Sequence, residues 1–175
     1  MSAAKILPYY TISDWERWEG QWELIEGLPF AMSPAPLPKH QRISGNLYQE
    51  FNKALLKCKT CKVFQAIDWI ISDDTIIKPD ALVVCKEIKY RLDFPPELVI
   101  EILSSSTALK DRNNKFRIYE MQKVKYYVIM DPLVNNVEIF VLAGNKYQQT
   151  DPATPFNFEF SSGCSAFIDF IKVWE

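Results

Sequence analysis

Two acids sit in consecutive aliphatic runs: Asp80 closes Ile77-Lys78-Pro79-Asp80, and Glu101 lies within Glu97-Leu98-Val99-Ile100-Glu101-Ile102-Leu103. A carboxylate in such a run is costly to bury unless something compensates it, because an unpaired charge resists desolvation or shifts its pKa. One divalent cation shared by both acids would compensate both at once and also supply a catalyst. Mg²⁺ or Mn²⁺ suits a pair of carboxylates, since these ions prefer oxygen ligands and usually keep several waters. A metal held there would activate a water and stabilise charge on a phosphate in transit. The plainer alternative is that each acid is structural, salt-bridged to a nearby lysine or arginine.

The elements around these acids can be read from turn chemistry and apolar spacing. Ser13 to Glu16 has capping-box spacing and predicts a short helix ending near Trp18. Residues 21–26 and 28–32 read as two short strands turning at Glu26-Gly27, and the prolines of Ser33 to Pro38 make a loop. Ile43, Leu47, Phe51 and Leu55 recur at i, i+4, i+8 and i+12, so a long helix is expected over 38–57. Residues 63–71 and 75–84 read as an antiparallel pair joined at Ser72-Asp73-Asp74. The aliphatic run 98–103 predicts a central strand buried on both faces. Ser104 to Thr107 offers N-caps for a helix to about Lys123, and 126–130 is a further buried strand. A hairpin is expected across Ala143-Gly144-Asn145, and more strand between Phe156 and Trp174. The unit from Leu98 to Met130 is long enough for a right-handed parallel crossover. Period two puts Glu101 on the face of Val99 and Leu103. Pro79, without a donor, predicts an edge, bulge or irregular point that would re-aim Asp80.

The bulk of the chain bounds the partners. Its 175 residues fit one α/β domain, 1–175, and 48% apolar residues exclude disorder. A net charge of −2 argues against strong non-specific nucleic-acid binding. Between Lys86 and Lys125, however, nine basic residues outnumber six acids, so nucleic acid could still be held locally. No run approaches the ~20 apolar residues of a membrane span, and the start lacks a signal-peptide pattern. A cytoplasmic protein without membrane partners is expected. Cys58-Lys59-Thr60-Cys61 has CxxC spacing but stands alone, and Cys85 and Cys164 are scattered, so all four cysteines read as reduced thiols rather than a zinc site.

Several motifs then combine: Trp22-Glu23-Leu24-Ile25-Glu26-Gly27, Met32-Ser33-Pro34, His40-Gln41-Arg42-Ile43, Lys78-Pro79-Asp80 and the strand from Glu97 to Ser104. Asp111, Lys115 and Tyr119 follow, then Tyr126 to Pro132. Together, from about residue 10 to about residue 150, they resemble the Uma-two family of bacterial restriction-endonuclease-like proteins, within the PD-(D/E)XK nuclease superfamily. The resemblance implies an α/β fold with a restriction-endonuclease-like core (helix-strand-strand-strand-helix-strand), an N-terminal hairpin and C-terminal strand additions. It implies Asp80 and Glu101 as ligands of Mg²⁺ or Mn²⁺. It also exposes a departure, because the superfamily places a lysine two residues after the second acid and this chain has Leu103. Such a lysine orients water and offsets charge near the phosphate. Lys115, which shares a helical face with Asp111 and Tyr119 at i, i+4 and i+8, is the candidate replacement; the same three residues could equally form a solvated face.

Two further residues stand beside these. Glu23 is either a third acidic wall of the site or the partner of a surface lysine. His40, the one histidine, could donate to a phosphate or act as a base; equally it could be a half-buried helix-start residue. Lys53, Lys57, Lys59 and Lys62 read as cations complementing a helix C-terminus or as a phosphate patch. The function expected is a metal-dependent endonuclease hydrolysing DNA. The alternatives are a catalytically weak nucleic-acid-binding or assembly module that keeps the fold, and a homodimeric scaffold with the aromatic-rich tail as interface.

Overall fold

The computed structural model describes residues 7–32, 37–152 and 155–175, so residues 33–36 of the expected proline-rich loop lie outside the described residues. Near the start, α1 spans Ile12–Trp15. Its cap is two residues earlier than Ser13: the Thr11 N–H donates to the Asp14 carboxylate at 2.9 Å. β1 (Trp22–Ile25) and β2 (Leu28–Ala31) form the expected hairpin. Its two-residue turn holds Glu26 and Gly27 at φ 50° and 77°, the left-handed pair of a primed turn that follows strand twist. A Cβ on Gly27 would sit 2.3 Å from the Tyr9 ring.

α2 (Pro38–Ala54) starts with proline at its first position, where a missing N–H costs nothing, and buries Ile43, Leu47 and Phe51. It ends before the expected Lys57. The two strands expected over 63–71 and 75–84 are each broken in two: β3 (Lys62–Gln65), β4 (Trp69–Ser72), β5 (Thr75–Ile77) and β6 (Ala81–Val84). The pairings are antiparallel as expected, β3 with β6 and β4 with β5, but they belong to different sheets. The pair changes sheet where Ala66 takes φ 46° and where Pro79 interrupts the donors. Asp80 sits on that crossing point.

β7 (Leu98–Ile102) is buried throughout. The helix expected over 104–123 is instead α3 (Ala108–Lys110), a π-helical turn at Asp111–Lys115, and α4 (Phe116–Met121). Ser104 to Thr107 is taken up by a hydroxyl-bonded turn, with Ser104 Oγ 3.0 Å from Thr107 Oγ1. β8 (Tyr126–Asp131) pairs with β7 in parallel, the expected crossover. β9 (Asn136–Ala143) and β10 (Lys146–Thr150) form the expected hairpin. In the tail only β11 (Phe156–Glu159) and β12 (Ser165–Ile168) are strands, and α5 (Ile171–Trp174) closes the chain as helix.

The larger sheet has the order β10-β9-β8-β7-β6-β3, and a second sheet has the order β2-β1-β5-β4. Strand alternation divides the core. Leu98, Ile100 and Ile102 pack with Ile43, Leu47 and Phe51 of α2 and with Phe158 and Phe170 of the tail. Val99 and Leu103 pack on the other face with Trp69, Ile118, Tyr119 and Tyr127. Each such side chain contributes roughly 1.5–3 kcal/mol by leaving water. Glu101 points into that second layer, on the face where period two placed it.

The cysteines correct the expectation of reduced thiols: Cys58 pairs with Cys164 and Cys61 with Cys85 as disulfides. The reason is tertiary. Lys62 faces Val84 across β3 and β6, so Cys61 and Cys85 are the next opposed pair. The β11–β12 turn carries Cys164 back to the end of α2, from a sequence separation of 106 residues.

Candidate active site

The broken strand pair builds the site. Ala81 faces Ile100, so by Ile102 the ladder has run out of partner backbone. The Asp80 side chain replaces it: the Ile102 N–H donates to Asp80 Oδ2 at 2.8 Å. His40, in the first turn of α2, brings its Nε2 to 3.3 Å from the same oxygen. At the other break, the Lys78 N–H donates to Glu23 Oε1 at 2.9 Å. The two acids that the sheet switch requires as acceptors are thereby drawn toward Glu101.

Lys115 joins them. Its Nζ lies 2.8 Å from Glu23 Oε1, 2.9 Å from Glu101 Oε1 and 3.5 Å from Asp111 Oδ1. Tyr119 donates to Glu101 Oε1 at 2.6 Å, and its ring lies flat against Trp69 with centroids 6.0 Å apart. Lys110 is bonded to Glu23 Oε2. Lys110 caps the π turn and Lys115 ends it, so the wider turn brings the two onto one carboxylate, an arrangement often found at functional sites.

Burial sets the electrostatics. It pushes the Glu101 carboxyl well above the ordinary carboxylate range; Lys115 opposes the rise, while Asp111, Asp80 and Glu23 add to it. Asp111 is raised for the same first reason, again against Lys115. Glu23 goes the other way: burial would raise it, but Lys115 and Lys110 together hold it below its usual value. Burial disfavours the Lys115 charge, yet Glu101, Glu23 and Asp111 outweigh it and keep the ammonium protonated. His40 is raised because Asp80 overcomes the burial penalty.

These groups fit a divalent cation. Four carboxyl groups (Glu23, Asp80, Glu101, Asp111) outnumber the two ammonium groups they face (Lys110, Lys115), and a cation would favour the ionised form of Glu101 and Asp111 that burial opposes. The buried Asp111 Oδ1 and His40 Nδ1 have no hydrogen-bond partner. Both bonds described to Glu101 fall on Oε1 and both to Asp80 on Oδ2, which leaves each a second oxygen. Asp80 and Glu101 would hold the ion, each through its second oxygen, with Asp80 on the more exposed side of the cluster. The Asp80 and His40 side chains are 24% and 16% exposed, against 3% for Glu101 and 4% for Lys115.

All five residues singled out in the sequence, Asp80, Glu101, Lys115, Glu23 and His40, therefore meet in one cluster. Lys115 reaches Glu101 from the helix that follows β7, while Leu103 packs in the core. Glu23 is fully buried and pairs with both the buried Lys115 and the partly exposed Lys110, so both expectations for it hold in part. Lys110 was not anticipated as a participant, because an α-helical reading puts it on a different face from Lys115. A groove of about 940 Å³ lined by Lys59, Lys62, Lys86 and Arg91 lies elsewhere and touches neither Asp80 nor Glu101.

Similarity to known proteins bears on the fold and the family. A crystal structure from Anabaena variabilis, described as "a putative nuclease belonging to DUF820", matches with a TM-score of 0.75 at 17% identity, covering 94% of this chain and 97% of that one. At that identity the likeness establishes the fold, which is restriction-endonuclease-like. An uncharacterized protein of Synechocystis sp., sll1609, is 30% identical over 84 residues, 45% of this chain; the chain spans about half that relative's length, 48%. The match to the Uma2 family, described as "Putative restriction endonuclease", runs over residues 9–162. The chain belongs to the Uma2 family of nuclease-like proteins.

Proposed function

We propose that this protein is a metal-dependent endonuclease that hydrolyses DNA phosphodiester bonds. The observation that carries the reading is the Lys115 ammonium 2.9 Å from Glu101, delivered from the helix after β7 to the side of the acid pair that Leu103 leaves empty of charge. When bound to Asp80 and Glu101, Mg²⁺ or Mn²⁺ would supply a Lewis acid and an activated water. The protein's own groups do the rest. Lys115 keeps its charge despite burial and offsets negative charge gathering near the scissile phosphate. Tyr119 and Lys115 fix the orientation of Glu101 through Oε1. His40 steadies Asp80 through its Nε2 contact to Oδ2. Substrate would approach over Asp80 and His40, the exposed edge of the cluster.

A second reading, a nucleic-acid-binding or assembly module that does not cut, is favoured by the near-complete burial of Glu101 and Lys115. Conversion of supercoiled plasmid to nicked circles with Mg²⁺ or Mn²⁺ separates the two. Wild-type nicking that Asp80→Asn and Glu101→Ala both lose is the expected result. Equal nicking by all three, or none by the wild type, overturns the nuclease reading.

A further inference from the structure

The cysteines are far from the acid cluster in the fold and do separate chemistry. Cys58 follows α2, Cys61 precedes β3, Cys85 follows β6 and Cys164 lies in the turn between β11 and β12. The Sγ atoms of Cys58, Cys61 and Cys164 all lie within 4.8 Å of one another. The fourth sulfur, that of Cys85, is bonded to Cys61. Four thiolates around tetrahedral zinc, each about 2.3 Å from the ion, stand roughly 3.8 Å apart. Three of the sulfurs are already gathered on that scale, and the fourth adjoins one of them.

The surroundings of the sulfurs are donors. The Cys61 N–H donates to Cys58 Sγ at 3.1 Å, across the CxxC turn. Thr60 Oγ1 lies 3.5 Å from Cys58 Sγ, 3.9 Å from Cys61 Sγ and 3.6 Å from Cys164 Sγ. Ser162 Oγ lies 2.9 Å from Cys61 Sγ. A disulfide sulfur carries no proton, so the hydroxyl is the donor in each contact, and the one Thr60 proton serves a single sulfur at a time. Such donors matter little to neutral sulfur and much to a thiolate, whose charge they spread, as outer-shell groups do around metal-bound ligands. Lys57, Lys59, Lys62 and Lys86 are sequence neighbours of three of the cysteines, Cys58, Cys61 and Cys85. Their positive charge favours thiolates and offsets the double negative charge of a zinc tetrathiolate. The CxxC spacing itself is common in such sites.

We propose that Cys58, Cys61, Cys85 and Cys164 form a zinc site, holding one Zn²⁺ as a tetrathiolate in the reduced protein. The disulfide pairs and the zinc site are two states of the same four sulfurs. A dithiol reductant converts one to the other: each disulfide accepts two electrons and two protons, and each dithiol becomes a disulfide. The four S–H bonds then give way to four Zn–S bonds as Zn²⁺ displaces four protons. The disulfides fasten the β11–β12 turn to the end of α2 and β3 to β6; a shared zinc would join all four places at once.

The test uses the full chain, reduced with a phosphine under anaerobic conditions and titrated with Co²⁺ as the spectroscopic probe. One equivalent should develop the intense visible bands and sulfur-to-metal charge transfer of a tetrahedral thiolate site. One equivalent of Zn²⁺ should then bleach them. Asp80→Asn should leave the bands intact, since oxygen ligands of the acid cluster cannot produce them. A Cys85→Ser/Cys164→Ser variant should lose them, and circular dichroism reports whether it is folded. A reduced, folded wild type that gives no thiolate bands, or bands that persist in a folded double variant, would overturn the proposal. The wild-type titration decides the matter even if the variant does not fold.

Discussion

Lys115→Met removes the one cation shared by three buried carboxylates, and its consequences can be worked out group by group. Glu23 keeps Lys110 and the Lys78 amide, and Glu101 keeps the Tyr119 hydroxyl. Asp111 Oδ1 keeps no hydrogen bond. Breaking a buried ion pair from one side costs about 3–5 kcal/mol, and at neutral pH the loss should fall in that range. Glu101 and Asp111, already raised by burial, should answer by taking up protons. The folded variant then binds more protons than the unfolded chain, so its stability falls as pH rises and recovers as pH falls. Urea denaturation followed by tryptophan fluorescence suits this, because Trp69 stacks on Tyr119 beside the cluster. With metal chelated, the midpoint should drop at pH 8 and the deficit should shrink toward pH 5, with the m-value unchanged. Adding Glu101→Gln should recover part of the loss. A variant within about 1 kcal/mol of wild type, or a deficit that grows on acidification, would refute the reasoning.

Other outcomes follow from the same structure. If Asp80 ligates metal, Mg²⁺ at a hundred times its Kd should stabilise the wild type by about 2.7 kcal/mol, at roughly 2–4 °C per kcal/mol for a chain this size, and Asp80→Asn should abolish the thermal shift. Phe158→Ala, at a fully buried ring against Phe51 and Tyr126, should cost about 3–5 kcal/mol in chemical denaturation. Gly27→Ala should lower the melting temperature, since a new Cβ meets Tyr9 and the backbone is left-handed there. Asp74 is held below the carboxylate range by the Ser72 and Tyr9 hydroxyls. Its contribution is therefore present above the ordinary carboxylate pKa and lost as pH falls through the lowered value, and Asp74→Asn should flatten the acid limb of the stability profile.

The legible parts of this protein were those specified by local spacing. The period of α2 put Ile43, Leu47 and Phe51 in the core, and the period of two placed Glu101 opposite Ile100 and Ile102. The i, i+4, i+8 spacing brought Lys115 and Tyr119 to the Glu101 carboxylate and Asp111 to Lys115, although the helix that carries them is π-helical at Asp111–Lys115. That turn cannot be read from residue types, so Lys110 was not anticipated. The strand pair was read as two long strands because Ala66 gives no warning of a left-handed backbone; only Pro79 marked the break. The cysteines were misjudged because their partners are set by sheet register and by a turn about a hundred residues away.

The central claim is that Lys115 does from the helix what Leu103 cannot do from the strand. The most direct measurement is the initial rate of plasmid nicking at saturating Mg²⁺ by Lys115→Met, compared with wild type under conditions where both are folded. The account predicts a loss of about 10²–10³, the size seen when one preorganised charge-stabilising donor is removed. A folded Lys115→Met protein that nicks at the wild-type rate would contradict it.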